Sequence, residues 1–329
     1  MDQRLEQLTS WVDVILNTND AEVIPASNDA SFRRYFRIKH GGKSFIVMDA
    51  PPEKEDCEPF IRISAAMAQF GLNVPQVLQR DLDQGFLLLT DLGEQQYLQV
   101  LNSTNADELY DDAIDALIRL QVNGASSTTR LPRYDHKLLM FEMSLFTDWL
   151  LQKQLRLSLS HTVKNELDTI FQQLSEEALS QPSVWVHRDY HSRNLMLTDV
   201  NNPGVLDFQD AVIGPLTYDL VSLLKDCYIS WPREKVEGWI AGYYDRIYDV
   251  GFAKGVSQEQ LIRWFDLMGA QRHLKAAGIF ARLNIRDGKP GYLADIPRTL
   301  NYICEAAVWL PELQPLKHLI SDEVIPALE

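Results

Sequence analysis

Apolar positions along the chain recur with two different periods, and each change of period marks where an element begins or ends. Leu5, Leu8, Trp11, Val12 and Ile15 fall at helical spacing, which predicts an amphipathic helix over residues 2–17 that packs on the N-terminal domain. "YFRIKHGGKSFIVMDA" then reads as two strands, Tyr35 to Lys39 and Ser44 to Asp49, closed into a hairpin at Gly41-Gly42. A helix from about Glu55 to Phe70 follows, and Phe86 to Thr90 in "GFLLLTDLG" supplies a further strand. From Asn105 onward helical spacing dominates, in "ADELYDDAIDALIRLQV" and again in "QEQLIRWFDLMGAQRHLKAAGIFARL". The expected boundary is the short segment Asp91 to Glu94, and no repeat, low-complexity tract or long linker interrupts the chain.

Strand patterning returns once inside the helical half. "SVWVHRD" ends one strand, "NLMLTD" is a second and "GVLDF" a third, with "VNNPG" turning between the last two. Polar groups thus sit at the ends of short apolar strands, a location that holds side chains rigidly at a surface cleft.

Composition narrows the partners. With 329 residues and 46% hydrophobic content the chain can bury a large core in two domains. No apolar run approaches the ~20 residues of a membrane helix, and "MDQRLEQLTSW" opens with charges rather than a basic-then-apolar signal, so a cytoplasmic location away from membranes is expected. Cys57, Cys227 and Cys304 are far apart and odd in number, which points to reduced thiols. A formal charge of -15 repels nucleic acid and anionic membranes, so the expected partners are small molecules, with no nucleic acid and no obligatory protein partner evident. Any phosphate-bearing ligand must then be met by local cations or a metal ion.

"VWVHRDYHSRNLM" concentrates the candidate chemistry. Zinc is disfavoured: His187 and His191 are four apart, but the metalloprotease pattern needs a Glu where Arg188 stands, and the context is strand-to-loop rather than helix. Phosphoryl transfer fits, because His187, Arg188, Asp189 and Asn194 match H-R-D-x-x-x-x-N without a gap. In such a loop the Asp orients a substrate hydroxyl and accepts its proton, and the Asn oxygen ligates magnesium. Asp207 in "VLDFQD" supplies the second acid 18 residues after Asp189, on a hairpin whose turn is expected to return it beside Asn194. The bland alternative is a solvated polar turn. His187 reads as a brace of the loop, Asp219 as a clamp on its backbone or a helix cap, and Asp210 as a second metal contact or a brace; His191 and Arg193 either line the acceptor pocket or face water.

The block "VHRDYHSRNLM…VLDFQDAVIGPLTYDLVSLL" resembles the aminoglycoside phosphotransferase-like branch of the protein-kinase-like fold. Within that branch "NDASFRRYFRI", "FIVMDAPPE" and "QRHLKAAGIFARLNIRDGKPGYLADIPR" resemble bacterial kinases that use ATP to phosphorylate N-acetylmuramate and N-acetylglucosamine at carbon 1, and the likeness covers about Ser27 to Arg298. The resemblance implies an α+β, two-lobed fold: a small nucleotide-binding N-lobe with an antiparallel sheet, residues 1–92, and a larger, mainly helical catalytic C-lobe, residues 93–329. It also implies ATP and Mg2+ as cofactors, a hinge near Leu89 to Leu92 that holds adenine beside Asp91, and peptidoglycan amino sugars as substrates.

The chain departs from that branch where a lysine is expected to grip the α- and β-phosphates: the strand reads "FIVMDAPP", with Met48 and Asp49 there instead. Ser31, Arg33 and Arg34, with Arg37 and Lys43 behind them, are the substitutes on offer in "SNDASFRRYFR" and the hairpin, or else ordinary solvated charges. For an acceptor carboxylate, Arg272, His273 or Lys275 on the "QRHLKAAGIFAR" helix is the expected cation, unless that helix is a solvated amphipathic one. Two other functions compete: a kinase of another small acceptor such as an aminoglycoside, choline or homoserine, and an inactive kinase-like nucleotide-binding protein, against which the retention of Asp189, Asn194 and Asp207 argues.

Overall fold

The structure, a computed structural model, describes residues 2–19, 21–28 and 32–328. The first helix forms where its apolar spacing lies, as α1 (Gln3–Leu16): the Asp2 side chain accepts from the Leu5 N–H at 3.2 Å, and Asn17 closes the last turn in the left-handed region. Strands β1 (Glu22–Asn28), β2 (Arg34–His40) and β3 (Lys43–Asp49), helix α2 (Glu58–Gln69), and strands β4 (Val77–Asp81) and β5 (Phe86–Thr90) follow. They build one antiparallel sheet of five strands in the order β1-β2-β3-β5-β4. Gly41 and Gly42 close the β2–β3 hairpin with φ of 58° and 74°, the positive values a two-residue turn of this hand requires. Leu8 and Val12 of α1 bury fully against Phe36, Ile38, Val47, Phe86 and Leu88 on one sheet face, each contributing roughly 1.5–3 kcal/mol.

The sheet's two outer strands were not legible in the sequence. β1 carries Pro25 at a break in register, and β4 buries none of its five residues, so neither shows the apolar alternation of a half-buried strand.

Further along lie α3 (Tyr97–Val100), α4 (Ala106–Gly124), α5 (His136–Leu145), α6 (His161–Ser180), β6 (Ser183–Val186), β7 (Leu195–Met196), β8 (Gly204–Val205), β9 (Val212–Pro215), α7 (Tyr218–Leu224), α8 (Arg233–Asp249), α9 (Gln258–Asp287) and α10 (Ile296–Ala306), then short C-terminal helices. Contacts divide the chain into two units, Met1–Gln96 with Leu195–Asp210, and Tyr97–Asn194 with Ala211–Glu329. The expected hairpin is present: β7 and β8 pair antiparallel, Leu195 opposite Val205, and this hairpin belongs to the first unit, where the Val205 N–H donates to the Asn73 carbonyl at 2.7 Å.

The second unit is organised by α9, whose 30 residues pack against α5, α6, α7, α10 and the π-helical turn Phe146–Gln154 that continues α5. From Leu267 to Lys275 α9 is buried on every side. The reading of this helix as solvated and amphipathic is thereby corrected: its polar residues are interior groups, each needing a partner. A Cβ on Gly278 would lie 2.3 Å from the Leu145 carbonyl carbon, so only glycine allows α9 to lie this close to the end of α5. Among the described residues no helix is long and apolar enough to cross a membrane, and Cys57, Cys227 and Cys304 are unbridged.

Candidate active site

Strand β6 pairs with β9, Val186 opposite Val212, and hands the chain to the loop His187–Asn194. Two buried acids hold this loop by its backbone. The Asp219 carboxylate accepts from the His187 N–H at 2.6 Å and the Arg188 N–H at 3.0 Å. Asp226 accepts from the Ser192 N–H at 2.9 Å and from its hydroxyl at 2.5 Å. Arg188 sits at φ 80°, a conformation that costs a non-glycine residue about 1–3 kcal/mol, and its Nη2 donates to Glu142 at 2.5 Å. Strain at this position, clamped from backbone and side chain, fixes the direction in which the next residue leaves the strand.

That residue is Asp189. Its carbonyl accepts from the His191 N–H at 3.0 Å and from the Asn194 side-chain Nδ2 at 3.0 Å, and its own N–H faces His187 Nδ1 at 3.2 Å. His187, buried, therefore braces the loop through Nδ1. The Asn194 side-chain nitrogen is committed to the Asp189 carbonyl, and its amide oxygen is of the donor type a hard cation takes. Asp207 has φ 63° and a carboxylate that accepts from Gln209 Nε2 at 2.7 Å. Amide and carboxylate oxygens are the donor chemistry that magnesium takes.

Burial pushes the Asp189 carboxyl up, but Lys275, His191, Arg272 and Arg188 together outweigh it and hold the group below its ordinary value, so it is ionised at neutral pH. Lys275 and Arg188 are in turn balanced by Glu142, 2% exposed, which lies 3.2 Å from Lys275 Nζ and also accepts from the Tyr134 hydroxyl. Burial pushes Asp219 up to about 7 against the pull of the two backbone N–H groups.

The basic residues expected to meet an acceptor carboxylate are mostly committed. His273, 1% exposed, has Nε2 on the Lys225 carbonyl at 2.9 Å and stacks on Tyr302; burial drives its pKa far down, so it is a neutral interior group. Lys275 donates to the Tyr218 hydroxyl at 2.9 Å as well as pairing with Glu142. Arg272 is 5% exposed with Nη1 3.7 Å from Cys227 Sγ. Arg193 and His191 are half-exposed and both contact the Tyr228 ring.

In the first unit, Arg34 lies opposite Asp49 across β2 and β3 and donates to it at 2.9 Å, while Arg4 grips the other oxygen of the same fully buried carboxylate. The acid that replaces the expected lysine is thus the anchor of α1 on the sheet. Arg33 pairs with Glu55 at 2.8 Å, and Arg37 with Asp91 at 2.6 Å, so a triphosphate would compete with carboxylates for all three arginines. Asp91 also accepts from the Ser44 hydroxyl at 2.5 Å, and Leu89 is buried in β5. Ser31 lies outside the described residues. Glu142 and Asp226 escaped the sequence reading, although each is a lone acid in an apolar context, "HKLLMFEMSL" and "SLLKDCY", the signal by which a buried counter-charge can be sought.

Residues 22–255 match the phosphotransferase enzyme family. The chain belongs to this family. The phosphotransferase is 47% identical over 330 residues to the N-acetylmuramate/N-acetylglucosamine kinase of Pseudomonas aeruginosa, with 97% of each chain aligned. It is 40% identical over 327 residues to the protein of the same name from Neisseria meningitidis, covering 98% of this chain and 96% of that one. Among solved structures it resembles the choline kinase LicA from Streptococcus pneumoniae, with TM-score 0.62 at 13% identity over 91% of this chain and 98% of that one. The GDP complex of aminoglycoside 2'-phosphotransferase-IIIa is similar too, with TM-score 0.62 at 16% identity over 91% and 99%. The phosphotransferase therefore has the protein-kinase-like α+β fold, a small unit with a five-stranded antiparallel sheet and a larger helical one.

Proposed function

We propose that this phosphotransferase moves the γ-phosphoryl group of ATP to the anomeric hydroxyl of N-acetylmuramate and N-acetylglucosamine, in the cytoplasm, as a step in reuse of cell-wall sugars. The observation that carries the acceptor is the end-to-end match, at 40% identity and above, to relatives that bear that name. The likeness to a structure titled as a GDP complex supports a nucleotide donor. The loop supports the chemistry.

Asp189 is the proposed base. An anomeric hydroxyl is more acidic than an ordinary alcohol, so a carboxylate held below its ordinary pKa still suffices to take its proton as the oxygen attacks phosphorus. Asp219 and Asp226 hold the backbone of the loop on either side of Asp189, which favours a preset position for the proposed base. Asn194 and Asp207 are the proposed magnesium ligands through their oxygens, and magnesium when bound would neutralise charge on the transferring phosphates. Leu89 and Asp91 are assigned to adenine, and Ser31, Arg33 and Arg34 to the phosphates.

Incubation of the purified protein with ATP, magnesium and a panel of amino sugars, aminoglycosides, choline and homoserine tests the reading. Phosphorus NMR is expected to show a phosphate coupled to the carbon-1 proton of both sugars. A phosphate on carbon 6, or turnover of an amine-bearing acceptor alone, would overturn the acceptor while leaving the phosphotransferase standing.

A further inference from the structure

The cations around the catalytic loop are not equivalent. Arg188 and Lys275 share Glu142, Lys225 pairs with Asp266 at 2.8 Å, and Arg272 is almost wholly buried. Arg193 has none of these attachments. Its guanidinium carbon lies 3.6 Å from the centroid of the Tyr228 ring and 5.4 Å from that of Tyr292, and among the described residues it forms no ion pair and no hydrogen bond. Phe280 stacks on Tyr292 at 5.6 Å and tilts against Tyr228 at 6.2 Å, so both tyrosines are braced from behind by α9. His191 meets Tyr228 edge-on at 5.4 Å, and its buried Nδ1 has no hydrogen-bond partner among the described residues.

A guanidinium carried on an aromatic face keeps its N–H donors in its own plane, directed past the ring, where they fit a carboxylate in bidentate fashion. The chain has 46 acidic and 31 basic residues, yet among the described residues Arg193 meets no carboxylate, and its position on the two rings leaves its N–H donors to a ligand. The position is also suited to the acceptor. Arg193 follows Asp189 by four residues, within ~14 Å even for an extended chain, and the turn bonds His191 N–H to Asp189 carbonyl and Asn194 N–H to His191 carbonyl shorten that span.

Resting on the proposed acceptors, we infer that Arg193, on its shelf of Tyr228 and Tyr292, receives the lactyl carboxylate of N-acetylmuramate and is the residue that sets preference between the two sugars. The lactyl group hangs from carbon 3, two ring positions from the anomeric carbon, and its chain carries the carboxylate outward from the ring, so one sugar can offer its carbon-1 oxygen to Asp189 and its carboxylate to Arg193. N-acetylglucosamine has no carboxylate to offer.

The test is the ratio of kcat/KM for N-acetylmuramate over N-acetylglucosamine, with the carboxamide of N-acetylmuramate as a third acceptor. Arg193→Gln should lower the ratio roughly 10- to 100-fold, the worth of a charged hydrogen bond. Arg193→Lys should recover part of it. Wild-type protein should disfavour the carboxamide by a similar factor, and Arg193→Gln should no longer distinguish acid from amide. Tyr292→Leu, which keeps every charge and removes one ring of the shelf, should shift the ratio in the same direction by less. An unchanged ratio, or wild-type turnover of the amide as fast as the acid, overturns the inference; so does an equal loss with both sugars together with a raised ATP KM, which would hand Arg193 to the donor phosphates. The wild-type amide comparison decides even if Arg193→Gln does not fold. Wild-type protein inactive on both sugars would instead remove the acceptor reading itself, a result distinct from an unchanged ratio.

Discussion

Among single side chains, the sharpest expectation falls on Asp189, the proposed base. Asp189→Asn keeps the shape of the side chain and removes the proton acceptor, so kcat should fall by roughly 10²-fold or more with the ATP KM little altered; near-normal turnover in steady-state assays would reject the role. Glu142 lies under the same loop and balances Arg188 and Lys275. Glu142→Ala leaves two cations in the interior without a counter-charge and should cost about 3–5 kcal/mol in denaturant unfolding. In the first unit Arg33 and Arg34 separate two effects: changing both to Ala should raise the ATP KM more than the sugar KM, and the loss of Arg34 from Asp49 should also lower the melting temperature. At this scale the loop His187–Asn194 was readable as a unit because its residues are contiguous in the chain. The partners were not, since Glu142 is 46 positions from Arg188 and Asp226 is 34 from Ser192, and nothing but folding brings them together.

At the scale of elements, α9 and the short helix α7 decide how firmly the loop is held. Asp219 on α7 has an ordinary value of 3.8 and is raised to about 7 in the folded protein, chiefly by burial. Between about pH 4 and pH 7 the folded protein holds a proton that the unfolded chain has released. This carboxyl therefore favours the fold most below pH 4, and the contribution disappears as pH rises through 7. The melting temperature of Asp219→Asn minus that of the wild type should climb across this window, and a flat difference would show that Asp219 does not titrate there. Gly278 makes a second test. Gly278→Ala should destabilise by about 1–3 kcal/mol through overpacking on α5, whereas Gly242→Ala in α8, where an added Cβ meets nothing within 4 Å, should stabilise by roughly 0.5–1 kcal/mol. Elements with one buried face, α1 and the β2–β3 hairpin, could be read from their periods. The edge strands β1 and β4 and the four-residue β9 could not, because a strand that buries little, or is too short to alternate, leaves no period to detect.

For the molecule as a whole, the assignment of Leu195–Asp210 to the sheet-bearing unit matters more than its length suggests. The polypeptide passes from one unit to the other three times, after Gln96, after Asn194 and after Asp210, so neither unit is a continuous stretch of gene. A single crossover between two related genes near codon 96 would give a protein whose sheet comes from one parent and whose β7–β8 hairpin, with Asp207, comes from the other. Such chimeras should express and melt well only when the parents agree at the seam where Asn73 and Gln95 meet that hairpin, through the Val205 and Leu197 N–H groups. Exchange of both pieces at once should restore the parental melting temperature. The strand-bearing stretch and the sixteen-residue segment Leu195–Asp210 are thereby expected to tolerate exchange together better than singly, although about a hundred residues separate them in the chain.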